Sequence, residues 1–545
     1  MKRIIPFFLF LLLAFLLFYF ALPVINFGFF GLPIVLFLLV LFGILFFLKF
    51  ELYDQGKKIK IIALPKGFLF ITAAIILIYM SVGPLLTSLP MFRSQSYRDL
   101  IGKVHNGQEL SKHIAPISLD KIRVVDESLA MLLGEKILGS QPALGSQVEI
   151  GDFTIQKVDD ELYWVAPLLH TGFFKWWRNS EGTPGYVMVS ATNERDVKLV
   201  QSIGGKSIKI KYQPEAFFGS QIQRHVYFNG YETVGLGDFE FEVDDDGKPF
   251  WVVSLYKKKV GFAGNDAFGV LLVDAQTGEI TEHSIKSTPI WVDRIHPIGF
   301  IEDQLNDWGE YIHGYWNFSN EGKLQITEGL TLVYGQNHKS YWYTGISSVG
   351  KEESNVGFVL VDTRTKETTY YKQSGATEYA AQNSAKGKVQ EKGYYASLPI
   401  PYLINNIPTY VMTLKDDGGL VKMFAMVAIS DYTIVGVGNT MRETLMAYKN
   451  VYNMADNRIN PDSVSNQKAL KTTVTRIEND VKNGNSFYYF TVKDYPKIFV
   501  GSSQLSNELP VTQVGDSINV SFDVDNEEVI DVSDFDNINI GKKAK

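Results

Sequence analysis

Three long runs without a charged side chain fill most of the first ninety residues: Ile4 to Ile25, Phe29 to Leu48 and Gly67 to Thr87. A chain must place such runs either in a large protein core or in lipid. Each is close to the ~20 residues that cross a ~30 Å hydrocarbon layer. Backbone in lipid must satisfy its own hydrogen bonds, so each run is expected to be helical. The lysines fix an orientation. Lys2 and Arg3 precede the first run, the second loop carries Lys49, Lys57, Lys58, Lys60 and Lys66 against Glu51 and Asp54, and the first turn, about Asn26–Gly28, is uncharged. Basic flanks stay cytoplasmic. The amino terminus is therefore expected inside, and everything after about Pro90 outside. A signal peptide competes for the first run, but no small-x-small cleavage site follows it. None of the runs contains an ionisable residue, which argues for an anchor over a transport pathway.

The formal charge is −7, and the seven basic and two acidic side chains of residues 1–92 leave −12 on the rest. An acidic part of this kind is not built to neutralise phosphates, so nucleic acid is not expected as a partner. There is no cysteine. This excludes disulfides, thiolate metal sites and thiol nucleophiles, and an exported part must be held by its own core. These features describe a multi-pass protein of a bacterial cell (inner) membrane with its bulk extracytoplasmic.

The predicted fold class is membrane-anchored α+β. It comprises three N-terminal transmembrane helices, a large ectodomain of repeated antiparallel β-ribbons with packed helices, and a C-terminal small β-barrel. The expected boundaries are 1–90 for the anchor (helices about 4–25, 29–48 and 67–87), 91–117 for a juxtamembrane segment, 118–318 and 319–456 for two repeat domains, 457–470 for a linker, and 471–541 for the barrel. Helices are predicted from Asp126 to Leu138, with Asp126 as N-cap, from near Ile298, and from Thr440, where Thr440-Met-Arg-Glu443 reads as a capping box. A loose repeat runs through Leu162–Val189, Pro249–Glu279, Ser340–Glu367 and Pro408–Val437. Its matching places are Tyr163-Trp164-Val165, Phe250-Trp251-Val252, Tyr341-Trp342-Tyr343 and Tyr410-Val411-Met412, each followed by a valine-rich strand. The expected unit is a two-stranded ribbon, which buries little alone and must pack with its copies. In the barrel segment five short strands are expected, with hairpin turns at Asn483-Gly484 and about Val514-Gly515-Asp516.

Two resemblances follow from these residues. Phe268–Ile280, "FGVLLVDAQTGEI", resembles the closing strand and turn of a PepSY domain, and Gly357–Thr368, "GFVLVDTRTKET", is a second copy with Lys366 in place of the turn glycine. The resemblance implies an extracytoplasmic module that binds or restrains a partner and has no catalytic residues. The five-stranded C-terminal segment resembles an OB-fold, a similarity of fold that does not by itself carry function.

Candidate sites are few. Phe173, Phe174, Trp176, Trp177 and Arg178 form an aromatic run too dense for strand alternation, expected either in a core or presented to a partner. A second aromatic set is Trp291, Trp308, Tyr311, Tyr315 and Trp316. Asp244, Asp245 and Asp246 follow alternating Asp238, Glu240 and Glu242; they are weak metal candidates, because the full calcium-loop pattern is missing and strand plus turn explains them. No histidine pair has zinc-helix spacing, no G-x-S-x-G elbow is present, and the glycine fragments Ser202–Lys206 and Gly436–Gly438 lack phosphate-loop spacing. No cofactor, metal or catalytic residue is therefore expected. The expected role is a non-enzymatic binding or scaffolding protein, with an envelope protein or glycan as partner. An envelope hydrolase built on His283, His296, His313 and nearby carboxylates is the alternative, and a phage or mobile-element membrane protein shares the same features.

Overall fold

The computed structural model describes residues 4–52, 66–107, 110–327, 329–336, 339–349, 354–459, 467–482, 485–503, 505–523 and 529–540. The apolar runs are helices: α1 (Ile4–Ala21), α2 (Gly31–Leu52) and α3 (Lys66–Thr87). Among the described residues one helix, Gly67–Thr87, is long and apolar enough to cross a membrane; the apolar stretches Phe8–Ala21 and Gly31–Ile44 are shorter. This differs from three spans of equal standing. Helix α1 stops at Ala21, short of the expected Ile25, as Leu22 turns to φ 42° and Pro23 has no N–H to offer. Lys57, Lys58 and Lys60 lie outside the described residues. Helix α4 (Pro90–Arg98) follows directly.

The chain divides into two compact units, residues 1–115 with 120–374, and 116–119 with 375–545. The break falls at 374/375, whereas the sequence pattern suggested one at 318/319. The strand Thr368–Tyr371 pairs in parallel with Val104–Gly107, which ties the third repeat to the segment after α4.

Each repeat is larger than a ribbon: it is a helix followed by a four-stranded antiparallel meander. The first consists of α5 (Glu127–Gly139) and strands β1 (Thr154–Val158), β2 (Glu161–His170), β3 (Tyr186–Ser190) and β4 (Val197–Val200), with a short helix α6 (Phe173–Arg178) between β2 and β3. The second consists of α7 (Ile222–Val226) with β5 (Gly235–Val243), β6 (Pro249–Val260), β7 (Ala263–Asp274) and β8 (Ile280–Ser284). The third consists of α8 (Ile298–Glu310) with β9 (Thr331–Tyr334), β10 (Ser340–Ser348), β11 (Gly357–Asp362) and β12 (Thr368–Tyr371). The fourth, in the second compact unit, consists of α9 (Glu378–Lys388) with β13 (Ile400–Ile404), β14 (Ile407–Lys415), β15 (Val421–Ala428) and β16 (Val435–Gly438).

The same hydrogen bonds recur in all four. The N–H after the third strand returns to the start of the second: Ala191 to Leu162 (2.8 Å), Ala275 to Pro249 (3.1 Å), Thr363 to Ser340 (3.1 Å) and Ile429 to Pro408 (3.0 Å). The carbonyls of Ala191, Ala275, Thr363 and Ile429 accept from Val125, Tyr212, His296 and Ala376, which lie ahead of the helices. The indole N–H groups of Trp164, Trp251 and Trp342 donate to the carbonyls of Val125 (2.8 Å), Tyr212 (2.7 Å) and His296 (3.3 Å), and the Tyr410 hydroxyl reaches Ala376 (3.5 Å). One aromatic side chain per unit thus pins the segment ahead of the helix to the second strand. Cross-strand partners agree: Trp164 with Val189, Trp251 with Val273, Trp342 with Val361, Tyr410 with Val427. The counterpart of the tryptophans in the fourth unit is therefore Tyr410, one residue before the position that the sequence alignment gave.

The turns after β7 and β11 are copies. Asp274 Oδ1 accepts from the N–H groups of Gln276 and Thr277, and Asp362 Oδ1 from those of Arg364 and Thr365. Lys248 Nζ and Lys339 Nζ lie 2.8 and 3.3 Å from the same two carboxylates. Gly278 (φ 76°) and Lys366 (φ 63°) fill the left-handed position. Lys366 tolerates it while its ammonium bonds the Leu100 carbonyl and pairs with Asp266. A Cβ on Gly278 would run into the ring of Tyr212. Gly278→Ala is therefore expected to lower stability by about 1–2 kcal/mol from backbone strain alone, and by more once the clash is added. Thermal unfolding of the purified variant measures this.

Helix α5 starts as expected, with Asp126 Oδ1 accepting from Leu129 N–H (3.0 Å). Helix α10 (Met441–Ile459) opens with Glu443 N–H donating to Thr440 Oγ1 (3.2 Å), while the Glu443 carboxylate accepts from Asn439 N–H (3.0 Å). Strands β17 (Gln467–Lys482), β18 (Asn485–Val492), β19 (Tyr495–Ser502), β20 (Ser517–Asp523) and β21 (Val529–Asn537) then close a barrel in the order β17-β18-β19-β21-β20. The β19–β21 pair is parallel. A register shift at Val474/Arg476 lets the sixteen-residue β17 bend and pair on both sides. Phe490, Phe499, Phe522 and Phe535 fill the interior. Asn483-Gly484 lies outside the described residues.

Candidate functional site

The aromatic run folds as helix α6, launched from β2 by Gly172 at φ 99°. A helical turn sorts its side chains onto different faces. Trp176 turns inward and packs on Phe217 (5.5 Å between centroids) and Phe218 (5.7 Å), while Phe173 meets Phe217 at 5.1 Å. Phe174 is 80% exposed and Trp177 65%. Arg178 is exposed, and Lys175 Nζ donates to the Ser146 carbonyl. Of the five residues singled out by sequence, Trp176 thus serves a local core, and the open face belongs to Phe174, Trp177 and Arg178. Phe218, half-exposed at φ 53°, joins that face and carried no sequence signal.

The same region touches the apolar helices. Arg224 donates to the Phe218 carbonyl (3.1 Å) and to the Tyr19 carbonyl in α1 (3.4 Å), with its guanidinium 4.4 Å above the Tyr19 ring. Phe228 lies 6.0 Å from Tyr19. Tyr227 donates to the Pro23 carbonyl (2.7 Å), and Ile25 N–H to that of Glu232 (2.6 Å). The β6–β7 hairpin tip sits at the end of α3: Phe262 N–H donates to Ser88 Oγ (2.8 Å), and its ring packs on Phe30 (4.9 Å) and Tyr79 (5.4 Å). The end of α1, the start of α2 and the end of α3 therefore all abut the α+β part.

The second aromatic set does not form one patch. Trp291 packs on Phe250, Trp308 on Tyr370 and Tyr311 on Tyr97; Tyr315 and Trp316 pack with Phe318.

The acidic strand behaves as its alternation suggests on one side only. Phe239, Phe241 and Val243 of β5 join the core. Glu240 and Glu242 point the other way, and Glu242 is fully buried. Arg294 Nη2 lies 2.8 Å from Glu240 Oε2 and 3.8 Å from Glu242 Oε1. The Asp293 backbone N–H also favours the ionised form of Glu242, though not in full hydrogen-bond geometry. Burial pushes the Glu242 and Glu240 carboxyls up while Arg294 opposes it, and the two glutamates raise the affinity of Arg294 for its proton against burial. Beside them Asp293 Oδ2 accepts from Lys157 N–H (2.8 Å) and the Tyr334 hydroxyl (2.9 Å), yet burial still lifts its carboxyl to about 6. His296, 2% exposed with neither ring nitrogen in full hydrogen-bond geometry, is pushed down to about 4, by burial first and then by nearby Lys366. Asp238, Glu240, Ser254, Arg294 and His296 surround a hollow of about one water molecule. The long separation between β5 and residues 293–296 hid this cluster from sequence reasoning.

His296 makes a testable contribution. Its folded value lies below the unfolded ~6.5, so the unfolded chain binds the extra proton and stability falls as pH drops through that window. The loss is about 2 kcal/mol between pH 7 and pH 5. Asp293 has the opposite sign: its raised value favours the fold at low pH and offsets part of the loss. His296→Asn is expected to flatten the acid limb of a pH–stability curve by that amount.

The remaining candidates are scattered. Asp244 Oδ1 accepts from Asp246 and Lys248 N–H and closes the β5–β6 turn. Among the described residues no group of three or more acidic, histidine or cysteine side chains is placed to hold a metal. His283 lies on β8, bonded to Thr281 and Ser287; His296 is enclosed; His313 lies against Gly322. His338 is outside the described residues. The Ser202–Lys206 fragment is a small hairpin, and Gly436–Gly438 belongs to β16.

The chain matches no protein-family model and no curated protein sequence.

Proposed function

We propose that this chain is a membrane-anchored binding or scaffolding protein of the bacterial envelope, with three transmembrane helices, a cytoplasmic amino terminus and extracytoplasmic α+β and barrel parts. One observation carries the reading. The helix ends at Pro23, Ile25 and Ser88 are locked to the α+β part by hydrogen bonds, while the helix flanks carry bare apolar surface, including Phe8, Phe15, Phe70, Ile71 and Ile75. Only lipid, or another apolar helix, can cover such flanks. Twenty-two residues of α3 span roughly 33 Å, which matches a bilayer core. Lys66 opens that helix at the end away from the α+β part, as the retention of lysines on the cytoplasmic side requires.

In this reading the four helix-plus-meander units are PepSY-like modules and the terminal barrel is OB-like. The tandem repetition of one small helix-plus-meander unit supports a binding role. The test uses the full chain. It is expected to stay with membranes through an alkaline carbonate wash and to give a discrete crosslinked species with an envelope component in intact cells. Release by carbonate, or turnover of a murein or peptide substrate by the purified protein, would contradict the proposal.

A further inference from the structure

We infer that the open aromatic face of α6 and its neighbours is a second seat on the bilayer, at the boundary between lipid headgroups and acyl chains. The inference rests on the membrane-spanning reading above and adds where the ectodomain lies. Phe174, Trp177 and Phe218 are 80, 65 and 54% exposed, and Phe228 is 53% exposed. Such a patch needs a cover. Its position says which. A single guanidinium, that of Arg224, bonds the carbonyls of both Phe218 and Tyr19, and Phe228 lies against the Tyr19 ring. Tyr19 sits in the last turn of α1, which ends at Ala21. If α1 spans, that turn is at the outer interface, and the patch continues it sideways at the same depth. The chemistry fits the place. Trp, Phe and Tyr with a nearby Arg are the side chains that settle at this boundary, apolar bodies inward and polar groups in the headgroup layer. Two short links fix the depth: Gly172 starts α6 from β2, and Arg224 ties the 217–218 turn to α1.

The absence of cysteine makes single introduced thiols unique. Phe174→Cys and Phe218→Cys, carrying a nitroxide, are placed in the full chain in vesicles of phosphatidylethanolamine and phosphatidylglycerol. Ile75→Cys on the bare flank of α3 and Lys206→Cys in the exposed small hairpin of residues 202–207 serve as references. Collision with oxygen and with a water-soluble nickel chelate is then compared. The labels at 174 and 218 are expected to favour oxygen, between the strong preference at 75 and the reverse preference at 206. Labels at 174 and 218 that match 206, while 75 remains lipid-facing, would overturn the inference and leave the spanning reading intact. A water-facing label at 75 would overturn both. Low access to both reagents at 174 in native membranes would place a protein on the patch and overturn the lipid seat. Trp177→Ser offers a second arm: it should leave thermal unfolding unchanged, yet raise chelate access at 174.

Discussion

Trp251→Ala is expected to lower the stability of the first compact unit by about 3–5 kcal/mol, a loss of roughly 4–6 °C in unfolding temperature for a unit this large. The indole is 3% exposed, packs on Phe241 (5.4 Å) and is cross-strand to Val273. Its N–H holds the Tyr212 carbonyl, so truncation opens a cavity and also releases the segment ahead of α7. Trp251→Phe separates the two effects. It keeps most of the ring and leaves the carbonyl unpaired, a cost of about 1–3 kcal/mol. Trp164→Ala and Trp342→Ala are expected to behave alike, because they make the same bond in their own units. Trp177→Ala is the contrast: exposed on α6, it should shift unfolding by no more than about 0.5 kcal/mol. Thermal melts of the four alanine variants in detergent compare them directly. Equal losses at positions 177 and 251 would contradict the repeated pin as a stabilising element.

Arg294→Met is expected to cost about 3–5 kcal/mol, because it leaves the buried Glu242 and the half-buried Glu240 without their cation. The loss has a defined pH dependence. A carboxyl whose folded value is raised favours the fold below its unfolded value, and that stability is lost as pH rises through the folded value. With Arg294 removed, the Glu242 value rises further, so the variant should be least impaired at acid pH and most impaired above neutrality. Adding Glu242→Leu to Arg294→Met removes the stranded charge and should recover much of the loss, since an apolar replacement of a buried ion pair is often neutral. Urea unfolding of the two variants at two pH values decides this. Equal stability of single and double variants would show that the Arg294–Glu242 contact is not coupled.

What the sequence revealed followed from local rules. Apolar runs without charge gave α1–α3, Asp126 and Thr440 gave helix starts, and the aromatic-then-valine pattern located all four central strand pairs. The alternation of Phe239, Phe241 and Val243 showed β5, but most other outer strands of the meanders escaped notice; Val197–Val200 and Thr368–Tyr371 are short and carry half-exposed or polar residues. The bond that unites the units links each aromatic to a carbonyl 34 to 46 residues earlier, a spacing that no periodicity reveals. The same limit applied to the sites. The α6 run was visible as composition, but its division into inward Trp176 and outward Phe174 and Trp177 depends on Phe217 and Phe218, some forty residues on. The Glu242–Arg294 contact joins a strand to a segment beyond the next three strands.

The most direct test of the membrane-anchored reading is the sidedness of single cysteines in intact cells, read with a thiol reagent that cannot cross membranes. Lys206→Cys in the α+β part should be labelled in intact cells, and Lys57→Cys, which lies in sequence between α2 and α3, only after lysis. The opposite pattern would invert the topology, and labelling of neither or both sites before lysis would contradict a chain that spans the membrane with its α+β part outside.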